Sequence, residues 1–353
     1  MAKFHFLNVK NGDCSIIEHN SRHISVIDIC NARLPENAKE LTLWEKLLLQ
    51  QEAQVLVEKT GARKNYGQKA YPENPIDYMQ RLGINNIFRL AITHPDMDHM
   101  DGLVDLFEYC TPTNYYDTKN TKEITGEWDN SPYREEDWLL YKKLRDNPQE
   151  NSPKCMRIYS GDDGIHRLKD WNGNAPGDAF YTLAPTPELL AAANQSDDHN
   201  GGSYVFMYWS PAGKILLSGD SHDKTWEHIL SRHGDLVKDV ELLIAPHHGR
   251  KSGRSYEFLD VLKPKMTFFG NAPAKDLAYS AWNSRGLPYI TNNMAGNMVV
   301  DCDNNMNLYV SNEEYARDEN SYTFYKDDYG WYVRSIKPSE SRGLSSLIQN
   351  LSS

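Results

Sequence analysis

The sequence predicts one α/β domain with insertions, on three observations. Strand-type and helix-type segments mix from end to end of the 353 residues. No linker rich in Pro, Gly or Ser separates regions of different composition, and no internal repeat or long low-complexity tract occurs. On this reading residues 1–310 form the main domain, interrupted by insertions at about 31–83 and 104–176. Residues 311–353 form a C-terminal hairpin and a flexible tail.

The elements follow in order. Phe4, Phe6, Leu7 and Val9 lead into an Asn11-Gly12-Asp13 turn, then Ile16 and Ile17; with the β-type run 23–29 this predicts a hairpin start. Leu43, Leu47, Leu48, Val55 and Val57 predict a helix over 38–58, and a short helix covers 76–82 before Gly83. Residues 88–93 (FRLAIT) read as a buried strand. Residues 104–176 are irregular and read as a loop-and-helix insertion. Strands follow at 181–185, in a hairpin of 203–209 with 214–220, at 240–249, and in four short runs between 265 and 312. A last hairpin spans 321–336, and the Ser-rich final fifteen residues are expected to fray.

Composition narrows the function. Aromatic residues make up 11%, with 21 Tyr and 8 Trp, which excludes a disordered chain. Lys and Arg number 38 against 49 Asp and Glu, a net charge of −11. That argues against a protein that coats duplex DNA through many phosphate contacts. No apolar run approaches the roughly 18 residues of a membrane span, and the first residues lack an apolar signal core. The expectation is a cytoplasmic protein that does not enter a membrane. Five scattered cysteines without a C-x-x-C pair argue against a disulfide framework or a thiolate zinc site.

Three clusters carry chemistry, each after an apolar strand. Thr93-His94-Pro95-Asp96-Met97-Asp98-His99 places two His and two Asp within six residues. Only a tight loop turns such closely spaced side chains toward one point, and imidazole with carboxylate suits divalent cations. Leu216 to Asp220 (LLSGD) ends a strand on an Asp able to bridge two cations. Leu243 to Gly249 (LIAPHHG) ends a strand on His247 and His248, one a candidate ligand and the other a candidate substrate contact. Asp28 either holds a ligand histidine by its second nitrogen or caps a turn.

Together these segments resemble the metallo-β-lactamase superfamily, in the branch of the hydrolase domain of the DNA-uptake channel protein ComEC. The resemblance rests on a Gly-Asp-Ser-type turn (Gly12, Asp13, with Cys14 for Ser), T-H-x-D-x-D-H-x-x-G-L at 93–103, Asn200 and Ser203 as N-x-x-S, L-L-S-G-D at 216–220 and P-H-H-G at 246–249. It spans about residues 4–300. It implies a four-layer αββα sandwich with two divalent ions, Zn²⁺ or Mn²⁺, at one edge. His94, Asp96, Asp98, His99, Asp220 and one of His247 or His248 would line the centre. Asp220 would bridge; Asp98 and His99 would join the His247/His248 pair on one ion, with His94 and Asp96 on the other. The common pattern H-x-H-x-D-H departs here in Asp96, and the usual later lone His has only His199 as a neighbour candidate. The first position is thus short of nitrogen, favours a harder ion, and is expected to be weak or empty. A Tyr-x-His-Pro segment usual in this branch is also missing around 271–282.

The leading expectation is a phosphodiesterase or nuclease in which Asp98 orients a metal-activated hydroxide and His247 or His248 steadies the leaving oxygen. Arg250, Lys251 and Arg254 would clamp phosphate, Asn200 and Ser203 would touch substrate, and Tyr115, Tyr116, Trp128, Tyr133 and Trp138 would stack bases or pack a core. The partner expected is a nucleic acid or nucleotide; a protein partner is left unidentified. Two alternatives stand beside it: a hydrolase of a cyclic nucleotide, phosphocholine ester or lactone, and a catalytically weak binding or signalling module retaining the fold.

Overall fold

Adjacent residues on the central strands are both apolar: Ile16 and Ile17, Val26 and Ile27, Tyr115 and Tyr116, Leu216 and Leu217, Leu243 and Ile244. Since successive side chains point to opposite faces, such strands need cover on both sides. The computed structural model, which describes residues 2–34, 65–126, 128–162 and 177–339, meets that need with two sheets packed face to face and helices outside each.

The first sheet opens with β1 (Lys3–Phe6), β2 (Ser15–Glu18) and β3 (Ile24–Ile27), followed by β4 (Arg89–Ala91), β5 (Asn114–Tyr116) and β6 (Lys154–Met156). The second sheet holds β7 (Phe180–Ala184), β8 (Val205–Ser210), β9 (Gly213–Leu217), β10 (Leu242–Ile244), β11 (Met266–Phe269) and β12 (Tyr289–Thr291). The chain then returns to the first sheet with β13 (Met298–Asp301), β14 (Met306–Val310), β15 (Lys326–Asp327) and β16 (Gly330–Ile336). The first sheet has ten strands in the order β15-β16-β14-β13-β1-β2-β3-β4-β5-β6, and the second six in the order β12-β11-β10-β9-β8-β7. The predicted hairpins 203–220 and 321–336 correspond to β8–β9 and β15–β16.

Between the sheets lie Phe4, Phe6, Ile17 and Ile27 from one side and Phe206, Ile215, Leu242 and Phe268 from the other. Outside the first sheet, Ile16, Val26, Leu90 and Tyr115 pack on α1 (Pro75–Arg81), α2 (Leu103–Tyr109) and α3 (Glu135–Asp146) through Met79, Leu106 and Trp138. A fourth helix, α4 (Pro187–Ser196), leads into the turn His199–Gly202. Outside the second sheet, Met207, Leu216 and Leu243 pack on α5 (Asp223–Val237), α6 (Phe258–Leu262) and α7 (Tyr279–Asn283) through Trp226, Phe258 and Trp282. The layer order is therefore αββα, as expected. Each large apolar side chain so buried is worth roughly 1.5–3 kcal/mol.

Local signals set the helix ends. Asn74 caps α1 by accepting from Ile76 N at 2.8 Å, with Pro75 at the first position. Thr186 and Pro187 start α4 in the same way. In α3, Glu135, Glu136 and Asp137 open the helix and Lys143 and Arg145 close it, which suits its dipole.

The structure departs from expectation in three places. The region 104–176 is not only loop and helix: β5 pairs in parallel with β4, and β6 with β5, which extends the first sheet. Each has three residues, too few to show an alternating pattern. Tyr115, Tyr116 and Trp138 are buried in the cores and cannot stack bases; Trp128 and Tyr133 are half-buried against the first sheet's outer core. The strands at 88–93 and 240–249 stop early, at Ala91 and Ile244, because the chain turns there to build the site. The predicted helix 38–58 and the tail after 339 lie outside the described residues. No helix among the described residues is long and apolar enough to cross a membrane.

Candidate metal centre

The site forms where strands from both sheets end together. β3 and β4 run parallel with Ile27 beside Ala91, and β9 and β10 run parallel with Leu217 beside Ile244. The residues just past these ends are Asp28, Thr93-His94, Ser218-Gly219-Asp220 and Pro246-His247-His248. The sheets are tied here by Tyr204 N donating to Thr93 O at 2.9 Å.

Three histidines present a bare Nε2, as their partners dictate. His99 Nδ1 lies 2.8 Å from Asp28 Oδ2, an acceptor, so its proton sits on Nδ1. Asp28 also accepts from Thr93 N and Thr93 Oγ1, each at 2.7 Å. The Thr93 hydroxyl proton is thereby committed, so the hydroxyl accepts from His94 Nδ1 at 3.1 Å. His248 Nδ1 lies 3.0 Å from Asp13 Oδ1. Nε2 of His94, His99 and His248, with Asp220 Oδ1, is buried without a hydrogen-bond partner. Four orphaned polar atoms converging in one buried place would each cost energy if left so, and a cation satisfies them together.

The spacing fits. Asp220 Oδ1 is 3.5 Å from His99 Nε2, and Asp220 Oδ2 is 3.8 Å from His248 Nε2. His248 Nε2 is 3.5 Å from Asp98 Oδ2. Ligands about 2.1 Å from a tetrahedral ion lie about 3.4 Å apart. The candidate ligand atoms form two groups, Asp98, His99 and His248, and His94, His99 and Asp220. Asp96 stands outside both. Its Oδ2 is 3.5 Å from His94 Nε2, while its Oδ1 is ion-paired with Lys122.

The surrounding carboxylates favour positive charge at the centre, whether a proton or a metal ion brings it. Burial works against a charged His99, but Asp28 and Asp220 outweigh it and raise its pKa to about 10. His248 is also raised well above the ordinary imidazole value, burial notwithstanding, by Asp13 and Asp220. Burial opposes ionisation of Asp220, yet His248, His94 and His99 hold it well below the carboxylate range. Asp96 is lowered likewise against its burial, by His94 and Lys122.

His247 differs from its neighbour. Its Nδ1 meets Ser252 Oγ at 2.7 Å and Arg254 Nη1 at 3.2 Å. A guanidinium only donates, so Nδ1 is the acceptor and Nε2 carries the proton. That N–H is 3.5 Å from Asp220 Oδ2, and the side chain is 19% exposed. Burial, then His248 and Arg254, push the imidazole down to about 4, against the pull of Asp220. Both His247 and His248 adopt left-handed backbone, φ 53° and 56°, a conformation that costs such residues about 1–3 kcal/mol each. His247 N donating to Gly219 O at 3.0 Å and Arg250 N to His247 O at 2.8 Å hold it.

The basic loop divides. Arg254 is buried, not a solvated clamp: Nε donates to Ser221 O at 2.8 Å and Nη2 to Asp220 O at 2.7 Å. It positions Asp220 and His247. Lys251 Nζ is spent on Lys275 O at 3.2 Å. Arg250 Nε is buried without a hydrogen-bond partner. Ser203 is fully buried with an orphaned hydroxyl, and Asn200 shapes its turn by accepting from Ser203 N at 3.1 Å. His199 Nε2 contacts Asp197 Oδ1 at 3.0 Å, and His199 joins neither ligand group.

Sequence reasoning passed over Asp13, Lys122 and the role of Arg254. Gly12-Asp13 reads as a turn, yet a Cβ on Gly12 would fall 1.9 Å from Asp98 O. The turn must pass that closely for Asp13 to reach His248. Gly12→Ala is therefore expected to displace Asp98 and lower bound metal at least tenfold in affinity, as outer-shell disruption does, measured by chelator competition on folded protein.

No protein-family model matches the chain, and no curated protein matches it. Among solved structures it is similar to a new diphosphatase from the PhnP family, at 12% identity and TM-score 0.41, over 82% of this chain and 95% of that one. It is also similar to Tm1679, a metal-dependent hydrolase of the β-lactamase superfamily, at 10% identity and TM-score 0.41, over 82% and 96%. A third is the metallo-β-lactamase fold protein YhfI from Bacillus subtilis, at 8% identity and TM-score 0.43, over 85% and 99%. Scores this low do not carry an activity across.

Proposed function

We propose that the protein is a metal-dependent hydrolase of the metallo-β-lactamase fold, acting on phosphodiesters, with a nucleotide or nucleic acid end as substrate. The observation that carries the reading is the convergence of orphaned, buried Nε2 atoms of His94, His99 and His248 with Asp220 Oδ1. On this reading His248 is the ligand of the histidine pair and His247 is not, because His247 Nε2 holds a proton. A bound divalent ion supplies Lewis acidity and a hydroxide at neutral pH. The chain's own residues do the rest. Asp28 and Asp13 orient His99 and His248, Arg254 fixes Asp220, and Asp98 orients the attacking oxygen. The His247 Nε2–H donates to a substrate or leaving oxygen. Arg250 Nε receives an anionic oxygen, which favours phosphodiester over neutral ester. The five unpaired cysteines fit a reducing compartment such as the cytoplasm.

A second reading, a small ester as substrate, is favoured by a cleft of about 620 Å³ lined by Leu189, Ala193, His222, Ser252 and Arg254, the last two of which contact His247. The test of both is hydrolysis of bis-p-nitrophenyl phosphate, single-stranded DNA and cyclic nucleotides with Mn²⁺ or Zn²⁺. Cleavage that disappears in Asp98→Ala/His99→Ala supports the hydrolase, and the substrate ranking separates the two readings. Turnover unchanged in that variant overturns the assignment of the centre.

A further inference from the structure

The two ligand groups share one residue, His99. Its Nδ1 is taken by Asp28, which leaves Nε2, and an imidazole nitrogen has one lone pair to give. If it serves an ion with Asp98, His248 and Asp220, the remaining side has His94 and Asp96. Asp96 is already committed there, since its Oδ1 is ion-paired with the Lys122 ammonium. The Lys122 backbone is held in place from behind. Lys122 N donates to Asn120 Oδ1 at 3.2 Å, and Lys122 O accepts from Arg145 Nη1 at 2.6 Å. Arg145 Nη1 also donates to Asn120 Oδ1 at 3.2 Å, and the arginine is buried on α3. Lys122 is thus a cation placed by a buried scaffold, not a loose surface side chain.

We propose that the centre holds a single divalent ion and that Lys122 takes the place of the second, its ammonium supplying the fixed positive charge beside His94 and Asp96. The proposal rests on the metal-centre reading above. Three carboxylates face the centre, Asp96, Asp98 and Asp220, and one dication with one ammonium balances them. A second dication would have to displace an ammonium from a contact that is only partly open to water, where charge-assisted hydrogen bonds are strong.

The experiment is elemental analysis of the full chain after incubation with excess Mn²⁺ or Zn²⁺ and desalting, with folding checked by circular dichroism. The wild type is expected to retain about one ion per chain. Lys122→Ala, which releases Asp96, is expected to rise toward two, and Lys122→Arg, which keeps a cation there, to stay at one. Two ions in the wild type, or one ion in folded Lys122→Ala, overturns the proposal. Failure of the underlying centre looks different: no ion is retained by any variant, or the same amount by Asp98→Ala/His99→Ala as by the wild type.

Discussion

Asp220→Ala is expected to empty the centre of metal and to lower hydrolysis on the order of a thousandfold, equivalent to about 4 kcal/mol in the transition state. The side chain is buried, and its two oxygens face His94 at 3.6 Å, His99 at 3.5 Å, His247 at 3.5 Å and His248 at 3.8 Å. No other carboxylate makes contacts to all four imidazoles among the described residues. Its backbone carbonyl is separately anchored by Arg254, so the loop should keep its course without the carboxylate. Asp220→Asn keeps the shape and removes the charge, and it should lose most of the metal as well. Metal content by elemental analysis checks both variants. Wild-type occupancy in Asp220→Ala would remove Asp220 from the ligand set.

The second large effect is expected far from that edge. Arg89 starts β4 and is fully buried, with Nη2 2.8 Å from Asp178 Oδ2, itself 1% exposed, and Nη1 donating to Ser25 Oγ at 2.5 Å. The guanidinium also lies 5.0 Å from the centre of the Phe180 ring. Arg89→Met leaves Asp178 buried beside His19 and His23 without its guanidinium partner. A loss of about 3–5 kcal/mol in folding stability is expected, measured by urea unfolding, with part recovered in Arg89→Met/Asp178→Asn. The pH dependence follows. Burial opposes ionised Asp178, but hydrogen bonding to His23 and the charges of His19 and Arg89 depress its carboxyl below the ordinary value. The stabilisation is therefore complete above the unfolded-state value of about 3.9 and is lost as pH falls through the lower folded value. Asp178→Asn should flatten the acid limb of the stability curve. An unchanged acid limb would mean that the pair does not set it.

Much of this was legible before any coordinates. The clusters at 94–99, 216–220 and 246–249 stand out because metal ligands must crowd together, and crowding in space shows here as crowding in sequence. Asp28 was visible as a candidate because it ends an apolar strand. Lys122 was not, because a lysine in a polar loop carries no mark. Its partner lies 26 positions earlier, and only the packing of α3 against the first sheet brings them together. Arg254 read as a phosphate clamp, since sequence cannot show that three of its donors are consumed. The helix over 223–237 was passed over although Trp226, Ile229, His233 and Leu236 fall at helical spacing and are buried. A further histidine, His228, and Gly234 obscured its apolar face.

The two sheets are fastened at opposite ends of β4. At one end Arg89 and Asp178 join them by a built-in ion pair; at the other, Asp98 and His99 face Asp220 and His248 across the same seam. That second margin is also held by Tyr204 N donating to Thr93 O at 2.9 Å. A bound cation would add a further tie there, because it would draw on residues of both sheets. Amide protons near Thr93 and Gly219 are therefore expected to exchange more slowly when Mn²⁺ or Zn²⁺ is present, as partial openings become costlier.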